Sequence, residues 1–136
     1  MSRWLLVALG GALGTGIRYF VCGLNHRFFD GSFPFHTLLI NLSGSFAAGF
    51  LWGFFQSSAG SSVVGSSAVK AFIFIGILGG FTTFSTFNLE NFNLIRAGEL
   101  RMALFNVAVS NIVGIGLLFA GFFLAQVLVK GWKGAV

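Results

Sequence analysis

The chain has 136 residues, 56% of them hydrophobic and only 8% charged, with eight Lys and Arg against three Asp and Glu for a formal net charge of +5. An ordinary soluble domain is about 25% charged, and one small domain cannot hide this much apolar surface from water. The composition therefore excludes a soluble enzyme, a disulfide scaffold and a disordered chain. The basic residues stand singly along the chain, so none forms a cluster for a phosphate backbone and no nucleic-acid partner is expected.

Four apolar runs match the roughly 20 residues that a helix needs to span a bilayer. The expected fold is an all-α membrane protein, one domain over 1–136, with spans near 4–24, 35–55, 71–89 and 102–129. Span one follows Arg3 and carries a single charge, Arg18, in register with Gly10 and Gly14. It lacks a small-x-small cleavage end and reads as a retained helix, not a leader. Its cysteine, Cys22, reads as an inert thiol in an apolar run. The first loop, 25–34, holds the only proline and the turn pair Asp30-Gly31. Span two carries Thr37, Asn41 and Ser45 four residues apart on one face, with Gly44, Ala48, Gly49 and Gly53 offering small surfaces for close helix approach. The second loop, 56–69, is Ser/Gly-rich and reads as a flexible linker.

Span three is bounded by Lys70 and Glu90, and residues 76–87 read GILGGFTTFSTF. The Gly79-Gly80 pair sits near its centre, where each glycine costs a helix about 1 kcal/mol relative to alanine. Four hydroxyls follow (Thr82, Thr83, Ser85, Thr86), interleaved with Phe81, Phe84 and Phe87. The pattern predicts a helix broken at mid-membrane. Freed carbonyls there suit a hard cation such as Na⁺, and phenyl edges carry positive potential toward an anion. A glycine kink with hydroxyls bonded back to the helix is the simpler alternative. A polar turn is expected at 91–101. Span four places Asn106, Ser110 and Gly114 in register, with Asn111 beside them. These in-span polar groups either bond neighbouring helices or form a track for something small. Four spans put Arg3, Lys70, Lys130 and Lys133 on one side and Arg27, Arg96 and Arg101 on the other, with Arg18 near the end of span one. This near balance selects no orientation and favours a chain that inserts both ways.

The stretches GALGTGIRY, HTLLINLSGSFAAG and GILGGFTTFSTFNLE resemble the Fluc (CrcB-type) family of fluoride channels over nearly the whole chain. The resemblance implies an antiparallel dual-topology homodimer in the cell inner (plasma) membrane, passing fluoride through two pathways. It implies a structural Na⁺ on the backbone carbonyls of Gly79 and Thr82. It implies that Phe84 and Phe87 present ring edges to fluoride, that Asn41 is a pore-facing donor, and that Thr83, Ser85 and Thr86 contribute hydroxyls. Arg18 matches an arginine of span one and is expected to set the potential at a vestibule; Glu90 matches the acid that ends the motif. Two departures stand out. His36 replaces a glycine before Thr37. In span four, where the family shows Gly-Ser, this chain has Gly114-Ile115, and no hydroxyl follows in Gly116–Phe119, leaving Ser110 or Asn111 to supply the polar lining.

The implied function is passive fluoride export, since fluoride is small and strongly hydrated and a selective pore must replace its water with donors. Three alternatives remain at this level. A small dual-topology, proton-coupled multidrug exporter would need a membrane-embedded carboxylate, and spans one, two and four have none. A pore-degraded subunit of a heterodimeric fluoride channel would tolerate the span-four departure. A non-transporting assembly subunit would use its glycines only for packing. No nucleophile-base pair or metal set suggests an enzyme.

Overall fold

A computed structural model describes residues 2–25, 31–56 and 67–133, and the regular secondary structure over them is all helical. Helix α1 is Arg3–Asn25 and α2 is Phe35–Gln56. Helix α3 covers 67–81: Ser67–Lys70, a wider-wound π-helical segment Ala71–Leu78, and Gly79–Phe81. Helix α4 is Phe84–Arg96 and α5 is Leu100–Lys133. Four segments are long and apolar enough to cross a membrane, α3 and α4 together making the third. Arg27, Asp30 and most of the expected Ser/Gly linker lie outside the described residues.

Glycines let the helices pair backbone to backbone. Gly10 of α1 faces Phe72 and Gly76 of α3, and Gly14 faces Ile77 and Phe81. The residue numbers rise together, so α1 and α3 run parallel. The same holds for α2 and α5, where Gly49 faces Leu118 and Gly53 faces Phe122 and Ala125. Parallel first and third, parallel second and fourth is the arrangement that four alternating crossings require. A methyl group at Gly10 would sit 2.6 Å from the Phe72 carbonyl, and one at Gly53 2.7 Å from the Phe122 carbonyl, so neither seam admits a side chain. Polar bonds tie the ends: the Arg3 guanidinium donates to the Ser67 hydroxyl, and Gln126 Nε2 donates to the Gly53 carbonyl at 3.1 Å.

The third span departs from expectation in two places. Gly79 and Gly80 are helical, Gly79 with φ −65° and ψ −34°. Gly80 serves packing instead: a Cβ on it would come within 2.6 Å of the Gly11 carbonyl, whereas one on Gly79 would meet only the Phe74 carbonyl at 3.6 Å. Helical geometry is lost two residues after the pair, at Thr82 (φ −78°, ψ 157°) and Thr83 (φ −146°, ψ 116°), an extended backbone that β-branched residues accept readily. The far end also differs. Glu90 does not end the span and 91–101 is not a loop, because α4 continues to Arg96 and only Ala97, Gly98 and Glu99 turn the chain. Asn91 and Leu94 are buried on that helix, and Gly98 at φ 82° supplies the left-handed residue that stops it.

Little of each span is hidden within one chain: between 6% and 33% of an apolar 18-residue stretch in each is buried. The remaining apolar surface is available to lipid or to another protein surface.

Candidate functional site

The break between α3 and α4 is built by side chains. In an unbroken helix the Thr83 amide would donate to the Gly79 carbonyl; here it donates to Asn41 Oδ1 at 2.9 Å. Asn41 Nδ2 in turn donates to the Thr83 carbonyl at 3.1 Å. One amide side chain from α2 thus grips both polar groups of a single residue, as a neighbouring strand would. The Thr83 hydroxyl caps α4 by accepting from the Thr86 amide at 3.3 Å, and it bonds the Thr86 hydroxyl at 2.9 Å. Thr82 Oγ1 bonds back to the Leu78 carbonyl at 2.9 Å. The Gly80 carbonyl, which would have met the Phe84 amide, accepts from Arg18 Nε at 3.2 Å and Thr15 Oγ1 at 3.4 Å.

A cavity of about 270 Å³ opens at this break, lined by Asn41, Ser45, Thr82, Thr83, Phe84, Phe87, Ser110 and Asn111. All eight were singled out in the sequence, and five of them are residues expected to form the pathway, brought together from three helices: Asn41, Thr83, Phe84, Phe87 and Ser110. The rings of Phe84 and Phe87 lie 6.0 Å apart and are tilted by 30°. Phe87 is buried at 7% exposure, whereas Phe84 is 76% exposed at the open side. Thr86 sits behind the lining, bonded to Thr83. Ser85 is exposed and does not line the cavity. Asn41 Nδ2 has two hydrogens and gives one to Thr83, so one donor remains for the cavity. Helix α4 begins here, so its first amides lack helical partners and its positive dipole end lies at the cavity wall.

Arg18 lies beside the α3–α4 break, where its Nε donates to the Gly80 carbonyl. Glu90 belongs to a second cavity, of about 320 Å³, lined by residues that include Pro34, His36, Asn93 and Ala97. Glu90 Oε1 accepts from Thr37 Oγ1 at 2.6 Å and lies 3.1 Å from His36 Nε2. Glu90 Oε2 is buried without a partner. Cys22, a half-buried free thiol, lies within electrostatic reach of both Arg18 and Glu90. No set of three or more His, Cys, Asp or Glu among the described residues is placed to hold a metal. Backbone oxygens are a different matter: the Gly79 carbonyl has lost its helical donor to Asn41.

Sequence reasoning did not assign His36 a partner; it placed Ser45 on the Asn41 face without a role and offered Asn111 only as an alternative to Ser110. The signal for Thr37 and Glu90 was present but distributed, since one is on α2 and the other on α4. Asn91 and Asn106 were legible only as polar residues. They prove to be linked: Asn106 Nδ2 donates to Asn91 Oδ1 at 3.0 Å.

Comparison with known proteins fits this geometry. The family model of CrcB-like proteins (camphor resistance, CrcB) matches residues 5–122. A fluoride-specific ion channel FluC from Desulforapulum autotrophicum is 40% identical over 126 residues, covering 93% of this chain and 98% of that protein. Proteins of the same name from Methylocella silvestris, at 42% over 97% of this chain and 98% of the relative, and Pyrococcus abyssi, at 43% over 93% and 98%, are also similar. With a matched segment that reaches into all four spans and holds the residues of the break, this chain belongs to the CrcB-like family of multi-pass membrane proteins.

Proposed function

We propose that this chain is a fluoride-selective passive channel that exports fluoride across the inner (plasma) membrane. The observation that carries the reading is the convergence of Asn41, Thr83, Phe84, Phe87 and Ser110 on one cavity at a helix break. Fluoride surrenders tightly held water only where donors replace it. The free Asn41 N–H, the hydroxyls and the positive phenyl edges are donors of that kind. The α4 N-terminus adds fixed positive potential without a titrating group. The fluoride-specific relatives support the choice of ion. The protein is a channel and not an enzyme: its chemistry is transfer between hydration shells.

The working unit in this reading is an antiparallel homodimer with the break at mid-membrane. Support comes from the low burial of each span, from the exposed Phe84 ring beside the cavity, and from the balanced charges. The Gly79 and Thr82 carbonyls of both copies would hold Na⁺. The donor set fits a hard cation, because carbonyl oxygens are its preferred ligands and the Gly79 oxygen has been released by the Asn41 clamp. A bound cation supplies constant positive charge beside the pathways.

A proton-coupled exporter would need a carboxylate that exchanges protons with the transport route. Glu90 is embedded, contrary to the sequence-based placement, but Thr37 and His36 hold it in the second cavity. The polar lining that span four seemed to lack is provided by Ser110 and Asn111, which favours a conducting chain over a degraded subunit. The test is fluoride efflux from liposomes containing only this chain. Rapid fluoride efflux with chloride retained is expected. Silent liposomes, with correctly assembled protein, would overturn a self-sufficient channel.

A further inference from the structure

We propose that Asn91 and Asn106 are positioning residues that keep the Ser110 hydroxyl available to the anion, an inference that rests on the fluoride-pathway reading and deepens it. Three bonds run in a line. Asn91 Nδ2 donates to the Phe87 carbonyl at 2.8 Å, Asn106 Nδ2 donates to Asn91 Oδ1 at 3.0 Å, and Ser110 Oγ donates to Asn106 Oδ1 at 3.4 Å. Asn91 and Asn106 are buried, at 7% and 1% exposure, whereas Ser110 reaches the cavity.

The direction of every bond in this line is forced from one end. A main-chain carbonyl only accepts, so Asn91 must turn its NH₂ to Phe87. Its oxygen is then left for Asn106, which must present NH₂ in turn. The Asn106 oxygen therefore faces Ser110, and the serine must be the donor. The helix Asn91 sits on carries Phe87 one turn earlier, so the same peptide that positions a lining ring also sets the polarity of the relay.

The last bond is long for an O–H donor to a neutral oxygen, well beyond the usual 2.7–2.8 Å. It is weak enough to be given up to a charged acceptor, since bonds to an ion are roughly twice as strong as neutral ones. At rest the hydroxyl hydrogen, still on Ser110 Oγ, points at Asn106 Oδ1. When an anion enters the cavity the hydroxyl rotates and donates to it, and it turns back to Asn106 after the ion leaves. No covalent step is involved. Without Asn106, Ser110 would do what a serine inside a helix ordinarily does, bonding the main-chain carbonyl four residues back. That bond has good geometry, and it would point the hydrogen along the helix and away from the cavity. A loosely held donor also suits conduction, which needs sites that bind and release.

The test is a double-mutant cycle on fluoride efflux from liposomes containing the full chain. Ser110→Ala and Asn106→Leu are each expected to lower flux about tenfold, the worth of one hydrogen bond to an ion. The Ser110→Ala/Asn106→Leu pair is expected to match Ser110→Ala alone within about twofold, because Asn106 acts only through the serine. If Asn106→Leu misfolds by orphaning Asn91, the pair Asn91→Leu/Asn106→Leu removes both amides at once, which is less costly, and carries the same expectation. Flux losses that multiply in the double variant, or an unchanged flux in Asn106→Leu, would overturn the relay while leaving the channel intact. A wild-type protein that passes no fluoride would overturn both.

Discussion

Asn41→Asp changes one NH₂ group to an oxygen and tests the clamp and the pathway together. The Asp keeps an acceptor for the Thr83 amide, now 2.9 Å from Oδ1. Its second oxygen replaces the donor that met the Thr83 carbonyl at 3.1 Å, so an attraction becomes a repulsion between two acceptors. Loss of that bond alone costs roughly 1 kcal/mol. The larger effect falls on the ion. A carboxylate and a fluoride about 5 Å apart repel by about 3 kcal/mol at an effective dielectric constant near 20. Added to the barrier, that slows passage by about two orders of magnitude. The assay is fluoride efflux from liposomes, with size-exclusion behaviour in detergent as the control for assembly. Asn41→Ala separates the two effects: it removes the clamp but adds no charge, so it should lose less flux than the Asp variant. Flux in Asn41→Asp within a few-fold of wild type would remove Asn41 from the pathway. Equal losses in the two variants would leave only its structural role.

Three further outcomes follow from the same geometry. Phe84→Ile and Phe87→Ile should each reduce fluoride flux while the protein still assembles, because the sec-butyl side chain has no positive ring edge; unchanged flux in both would take the rings out of the pathway. Gly49→Ala would drive a methyl group into the Leu118 carbonyl, so thermal unfolding in detergent should show a loss of on the order of 1–3 kcal/mol. Gly116 lies inside α5 and faces nothing within 4 Å, so Gly116→Ala should stabilise the helix by up to about 1 kcal/mol; a similar loss at both positions would contradict the α2–α5 seam. Exchange of Na⁺ for a larger cation should weaken dimer assembly or flux if the Gly79 and Thr82 carbonyls hold the ion; indifference to the cation would leave those carbonyls without that role.

Much of the fold was legible in one dimension because a bilayer imposes a one-dimensional rule. A span must be apolar for a set length, so four runs in the sequence became four long helical segments. The glycine spacing also translated directly, since residues four apart share a helix face, and Gly49 and Gly53 both lie against α5. The GGFTTFSTF stretch announced an interruption, but not where it falls. Glycine propensity pointed to Gly79-Gly80. Close packing against Gly11 gave Gly80 a different purpose, and the break falls at the threonines.

The amino-acid order by itself determined the membrane character, the helical class and the identity of the polar residues that sit inside the spans. Only the tertiary structure decided which of those residues meet. Asn41 and Thr83 are 42 positions apart, yet they share two hydrogen bonds. Glu90 reads as the end of a hydrophobic run, but burial of Asn91 and Leu94 carries the helix past it and turns it toward Thr37. The reason is physical. Apolar length is a property of a segment on its own, whereas a buried polar group is stable only with a partner, and the partner is chosen by how the helices pack.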